Sequence, residues 1–142
     1  MAEEATTPDL AELTRGMFDA AGRHDLDGVM ELYAPDAVYD ASHAGLGFSF
    51  KGVAAIRTFI GGWWESFEDH QTEVLEIVAL GQRVAFAHVR EVGRPVDSDG
   101  QVEQFRGWVL LGTGGKIERI EPYFDAAEAR AAAAERLRDE PR

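Results

Sequence analysis

From Gln71 onward the apolar residues recur with a period of two, and the pattern holds as far as Phe124. Residues 72–80, 83–92, 102–111 and 116–124 read as four strands, because alternation at this spacing places one side of each segment on a single face. Gly81-Gln82 is a tight turn between the first two, and Gly112-Thr113-Gly114 turns the last two. A longer segment, 93–100, joins the middle pair. Strands linked by such short turns are antiparallel neighbours. A sheet of this kind must bury one face, so the rest of the chain has to supply the cover.

The first half supplies helices. Thr7-Pro8-Asp9 reads as a helix start, with a capping hydroxyl and a proline at the first helical position. Leu10, Leu13, Met17 and Ala21 follow at helical spacing, and Gly22 is a stop. A second, short helix begins near Asp25, carries Leu26, Val29, Met30 and Tyr33, and ends at Pro35. A brief strand over 37–41 leads into a loop of small residues over 42–47. The third helix spans about 52–67, where Val53, Ile56, Ile60, Trp63 and Phe67 form one stripe. Gly61-Gly62 weakens it by roughly 1 kcal/mol per glycine. Asp125 and Glu128 resemble a capping box opening an alanine-rich helix that ends near Leu137. Helices segregated to one face of an antiparallel sheet define an α+β fold. The sheet should twist and curl, with helix 52–67 in its concavity. One domain over 7–138 is expected, with flexible ends at 1–6 and 139–142.

The net charge of −12 opposes phosphate backbones, so neither nucleic acid nor an anionic membrane is an expected partner. With no cysteine, disulfides, thiolate metal sites and cysteine nucleophiles are excluded. The acidic N-terminal residues do not read as a secretory signal, and no run approaches the ~18 apolar residues of a membrane span. A cytoplasmic location is the expectation. His24, His43, His70 and His88 are scattered without metal-ligand spacing, so no metal site is expected.

Three short segments carry a resemblance. They are Leu32-Tyr33-Ala34-Pro35-Asp36-Ala37-Val38, then Lys51-Gly52-Val53-Ala54-Ala55-Ile56, and then Gly115-Lys116-Ile117 followed by Tyr123-Phe124-Asp125. In this order and spacing the chain resembles the nuclear transport factor 2-like superfamily, with its SnoaL-like polyketide cyclases, ketosteroid isomerases and limonene epoxide hydrolases. The resemblance covers about 10–130. It implies a cystatin-like cone, in which a curved antiparallel sheet wraps around helices to form an internal pocket. The concave face would line that pocket and the convex face would make a homodimer. The fold itself hosts enzymes and non-enzymes alike.

In strand 83–92, Val84, Phe86, His88 and Arg90 share one face and Ala85, Ala87 and Val89 the other. The resemblance puts His88 and Arg90 among the pocket's polar groups. On the next strand the matching face would be Gln104, Arg106, Trp108 and Leu110. Two registers of the last hairpin remain open. A three-residue loop sets Arg106 and Trp108 beside Ile120, Pro122 and Phe124, and this one fits the family. A four-residue loop pairs Arg106 with Glu121 and Gln104 with Tyr123.

Asp40 closes the first strand, where the isomerases carry their proton-abstracting aspartate. A buried carboxylate acts as a general base when its pKa rises toward neutrality, and His88 could shuttle the proton. Arg90 or Arg106 could stabilise an enolate or bind a carboxylate. Asp40, His88 and Arg90 are thus the catalytic candidates. Tyr39, His43 as a gate, Trp63, Phe67, Gln104, Arg106, Trp108 and Phe124 are the substrate-contacting ones. Structural roles compete with these: Asp40 as a strand cap or partner of Arg90, His88 as an interior histidine, Arg106 at a dimer interface. The chain also departs from the named enzymes. Met17 stands where the isomerases have a helix tyrosine, 104–111 contains no acid, and Pro122 precedes Tyr123. The expectation is a cofactor-independent isomerase, cyclase or hydrolase acting on a small apolar or amphipathic molecule. Its rivals are a non-catalytic binding or dimerisation module and, less favoured, a protein-binding adaptor with an acidic exterior.

Overall fold

The computed structural model describes residues 9–45, 47–113 and 115–139. Helix α1 (Leu10–Gly22) opens on Asp9, whose carboxylate accepts from the Glu12 amide at 2.8 Å while Glu12 accepts from the Asp9 amide at 3.1 Å. That reciprocal pair satisfies two of the helix's free N–H groups. The cap is therefore Asp9; Thr7 and Pro8, the expected end 1–6, and all of the expected end 139–142 except Asp139 lie outside the described residues. Helix α2 (Leu26–Met30) is shorter than its apolar spacing suggested. Tyr33 and Pro35 instead belong to strand β1 (Tyr33–Asp40). Pro35 is tolerated there because the pairing with the neighbouring strand shifts between Tyr33 and Val38, so its missing N–H falls in an irregularity.

A 3-10 turn (Ser42–Ala44) and a short strand β2 (Ser49–Lys51) follow, neither of them expected. Helix α3 (Val53–Glu65) precedes four long strands: β3 (Phe67–Leu80), β4 (Val84–Pro95), β5 (Val102–Thr113) and β6 (Lys116–Tyr123). Helix α4 (Ala126–Arg138) starts on Asp125, whose carboxylate accepts from the Ala127 amide at 2.7 Å. The fold is α+β, with one curved, open sheet of six strands in the order β2-β1-β6-β5-β4-β3. Every pairing is antiparallel except that between β1 and β6. No helix among the described residues is long and apolar enough to cross a membrane.

Two expectations about packing are corrected. The helix across the concave face is α1, which touches β3, β4, β5 and β6, while α3 closes one side against β1, β2 and β3. Leu10, Leu13, Met17 and Phe18 meet Ala85, Ala87, Val89 and Leu110 in the main core. The β4 face is also reversed. Ala87 pairs with Trp108 and Val89 with Arg106, so the odd-numbered residues of β4 share the concave face with the even-numbered ones of β5. His88 and Arg90 consequently point to the convex side. The physical reason is room: a helix laid inside a curved sheet needs small residues beneath it, and the alanines supply them.

The convex face is covered in part by α4. Ala129 and Ala133 pack with Val84, Phe86, Val109 and Tyr123. Gly107 permits this approach, since a Cβ there would lie 2.5 Å from that of Ala129.

Candidate functional site

Inside the concave face lies a cavity walled by α1, α3 and the sheet. Phe18 and Trp108 meet edge-on at 5.4 Å, and Tyr39 adds an edge contact with Trp108 at 6.0 Å. Phe59, Trp63 and Trp64 from α3 complete an aromatic enclosure. Into it project the side chains of Glu91, Arg106, His70 and Thr72.

The register explains the polar group. Glu91 lies directly opposite Gln104, and Arg106 sits one step along the same face. The Arg106 Nε is 3.3 Å from a Glu91 oxygen. Its Nε and Nη2 donate to the Gln104 Oε1 at 3.2 and 2.6 Å. Trp63 and Phe124 flank the guanidinium, at 5.8 and 5.3 Å from ring centre to charge. Burial pushes the Glu91 pKa above its usual 4.5, and Arg106 only partly opposes that rise. Burial also lowers the His70 pKa from 6.5, aided by His24 and Arg106, which favours the neutral imidazole. Tyr39 stays a phenol, since burial foremost, then Tyr33 and Glu91, raise its pKa against Arg106.

A second carboxylate–arginine cluster occupies the other side of the sheet. Asp40 accepts from the Ser42 amide at 3.0 Å and its hydroxyl at 2.6 Å, and pairs with Arg119 at 2.8 Å. Burial alone would raise the Asp40 pKa; the Ser42 hydrogen bonds, with Arg119 and His43, carry it below 3.8 instead. Arg119 also donates to fully buried Glu121 at 2.6 Å, and Arg136 of α4 donates to the same oxygen. Asp40, His43 and Glu121 have ligand atoms within 4.8 Å of one another. Two guanidinium groups already balance the two carboxylates, so this trio has no surplus negative charge to draw a cation.

Of the residues singled out in the sequence, Tyr39, Trp63, Arg106 and Trp108 line the cavity, and Gln104 and Phe124 hold Arg106. Phe67 packs on Trp63 and His70 behind that wall. Asp40 is not brought to the cavity; its neighbour Tyr39 points inward instead. His43 stacks on Tyr123 at 4.5 Å. His88 lies near Phe105 on the convex face, and Arg90 pairs there with Glu103 and Glu73. The structural partner of Asp40 is Arg119, not Arg90. The β5–β6 register sets Trp108 opposite Pro122 and Leu110 opposite Ile120, the facing of the three-residue alternative. Gly112 and Thr113, however, belong to β5 and pair with Ile117 and Lys116 rather than forming the turn, after a shift between Leu111 and Gly112. Glu121 therefore pairs with Val109, on the opposite face from Arg106.

Glu91 and His70 escaped the sequence reading. The signal for Glu91 was present: it ends the stripe Ala85, Ala87, Val89, whose small size marks the side a helix covers. His70 reaches the cavity through an irregularity in β3 between Glu68 and Gln71, where Asp69 has φ +59°, and simple alternation does not show that.

Compared with known proteins, the sequence matches the family profile described as SnoaL-like domain over residues 14–120. No curated protein matches it. Among solved structures, a hypothetical protein with a ketosteroid isomerase-like fold from Catenulispora acidiphila, in complex with trimethylamine, is similar at 16% identity and a TM-score of 0.73. That likeness covers 91% of this chain and 95% of the other. A candidate polyketide cyclase from Sinorhizobium meliloti is 25% identical, covering 78% and 92%, with a TM-score of 0.65. The epoxide hydrolase/cyclase-like enzyme SalBIII, of pyran ring formation in salinomycin, is 15% identical over 80% and 88%, with a TM-score of 0.70.

Proposed function

Because this chain belongs to the SnoaL-like domain family, we propose that its cavity binds a small, largely apolar molecule and moves a proton on it. The reaction would be of the isomerase, cyclase or hydrolase type, and Glu91 would be its acid–base group. One observation carries the reading: a carboxylate enclosed by aromatic side chains, with its pKa raised by burial, stands 3.3 Å from an arginine. The neighbours support the class of reaction, since two of them are described as cyclases or cyclase-like. The small ligand of the Catenulispora acidiphila protein supports a small-molecule role for the fold.

The pair suits proton transfer because its charges are coupled. While Glu91 is ionised it neutralises Arg106. When Glu91 takes a proton from a carbon beside a carbonyl, the electron pair of that C–H bond moves onto the substrate oxygen. Glu91 is then neutral, and the charge of Arg106 becomes available to the new oxyanion. Return of the proton to a different carbon completes an isomerisation and restores the pair. The site's net charge is the same before and after, so no uncompensated charge is created in an apolar enclosure.

The test is hydrogen–deuterium exchange at the α-carbon of small cyclic ketones in D2O, followed by NMR. The wild-type protein should speed exchange, and Glu91→Gln should lose about 100-fold or more of that acceleration. Ketones that bind without accelerated exchange would leave a non-catalytic binding module as the correct account.

A further inference from the structure

Arg106 is the obvious anchor for a ligand, yet its charge and two of its donors are already engaged. Glu91 offsets the charge, and the Gln104 Oε1 accepts one hydrogen each from Nε and Nη2. A carboxylate ligand would bring a second negative charge beside Glu91 in a poorly solvated space, where repulsion is weakly screened. His70, the other basic side chain of the wall, is held toward its neutral form. The cavity's charges are thus balanced before anything enters.

Two other polar atoms are not balanced. The Trp108 Nε1 and the His70 Nε2 are both buried without a hydrogen-bond partner among the described residues, and both belong to residues that line this cavity. The indole N–H is the more specific of the two, because it can only donate. Trp108 is held by its edge contacts with Phe18 and Tyr39, and its backbone is fixed by pairing with Ala87 on β4 and Pro122 on β6. A ligand that fills the cavity and leaves this N–H bare forfeits its hydrogen bond. One that brings an acceptor oxygen restores it.

Resting on the reading of this cavity as a small-molecule site, we propose that Trp108 is its specificity-determining donor and that it selects a neutral ligand with an acceptor oxygen over an anionic one. The probes are cyclopentanone, its near-isostere methylenecyclopentane, and cyclopentanecarboxylate. Binding to the full chain is followed by NMR, with the Trp108 indole N–H resonance as the local reporter. Cyclopentanone should shift that resonance, and methylenecyclopentane should move it far less. Trp108→Phe keeps the aromatic wall and removes the donor. It should weaken cyclopentanone about 3- to 10-fold and methylenecyclopentane less than about 2-fold. Cyclopentanecarboxylate should bind at least about 10-fold more weakly than the ketone.

Equal weakening of ketone and hydrocarbon in Trp108→Phe would reduce Trp108 to a wall residue and overturn the proposal. Tightest binding by the carboxylate would overturn it in favour of Arg106 as the anchor. Either result leaves the cavity reading standing, because a ligand still binds there. If none of the three perturbs any cavity resonance, the small-molecule reading itself fails, and this inference fails with it. The wild-type indole shift needs no variant, so a folding defect in Trp108→Phe does not protect the proposal.

Discussion

Asp40 with Arg119 and Glu91 with Arg106 use the same two kinds of side chain on opposite sides of one sheet, and the two pairs are in opposite electrostatic states. Asp40 receives two hydrogen bonds from Ser42 besides its arginine, so its charged form is favoured and its pKa falls. Glu91 accepts no hydrogen bond from the backbone or from a hydroxyl among the described residues; its cation is shared with Gln104, and burial prevails, so its pKa rises. The same carboxylate–arginine chemistry therefore serves as a clasp in one place and, in the function proposed above, as a poised proton acceptor in the other. What decides is the number of hydrogen bonds that remain to the charge once water is removed.

The largest effect should come from stripping the clasp. Arg119→Ala combined with Arg136→Ala leaves Glu121 fully buried without a cation. A loss of about 3–5 kcal/mol in urea unfolding is expected. Ketone binding should survive wherever the variant is folded. Glu91→Gln comes next and has the converse profile: exchange falls about 100-fold or more while the fold persists, because Arg106 keeps Gln104. A stability loss as large as that of the double arginine variant would erase the contrast between the pairs.

Asp40→Asn should cost about 1 kcal/mol at neutral pH and leave exchange within twofold of wild type. The sign of its pH dependence follows from the lowered pKa. The stability from ionised Asp40 is present above its unfolded-state value, near 3.8, and is lost as pH falls through the folded value. The wild-type advantage over Asp40→Asn should therefore shrink in acid. Glu91 has the opposite sign: its raised pKa contributes stability below the unfolded value, near 4.5, that is lost as pH rises through the folded one. Catalysed exchange should rise over the same interval as the base form appears. Smallest of all, His88→Ala and Arg90→Ala should each change exchange by less than about twofold, since both side chains stand on the convex face.

The period-two run and the turn glycines made the four long strands legible, because alternation reports one buried face directly. Helices α1 and α3 were legible from their apolar stripes at helical spacing and α4 from its capping aspartate, while α2 was read too long because Tyr33 continues its spacing but belongs to β1. Which face of β4 turns inward was not. Alternation divides a strand into two sets without saying which is concave, and the larger side chains drew attention to Val84, Phe86, His88 and Arg90. The deciding fact is non-local: the 96–101 connection sets the register that pairs Ala87 with Trp108, and α1 needs the alanines beneath it. On β5, Arg106 and Trp108 were placed correctly, since that strand's register with β6 follows the hairpin. Asp40 was found as a residue but not as a role, because the Ser42 and Arg119 bonds that hold it ionised come from a turn and from a parallel neighbour strand that the pattern did not reveal.

The most direct test of the contrast is a carboxyl-carbon NMR titration of Glu91 and Asp40 in the same sample. The account predicts that Glu91 titrates above 4.5 and Asp40 below 3.8, with Arg106→Gln driving Glu91 higher still and leaving Asp40 unmoved. A Glu91 that titrates at or below 4.5 would contradict it, because a carboxylate so well stabilised would be a second clasp and not a base.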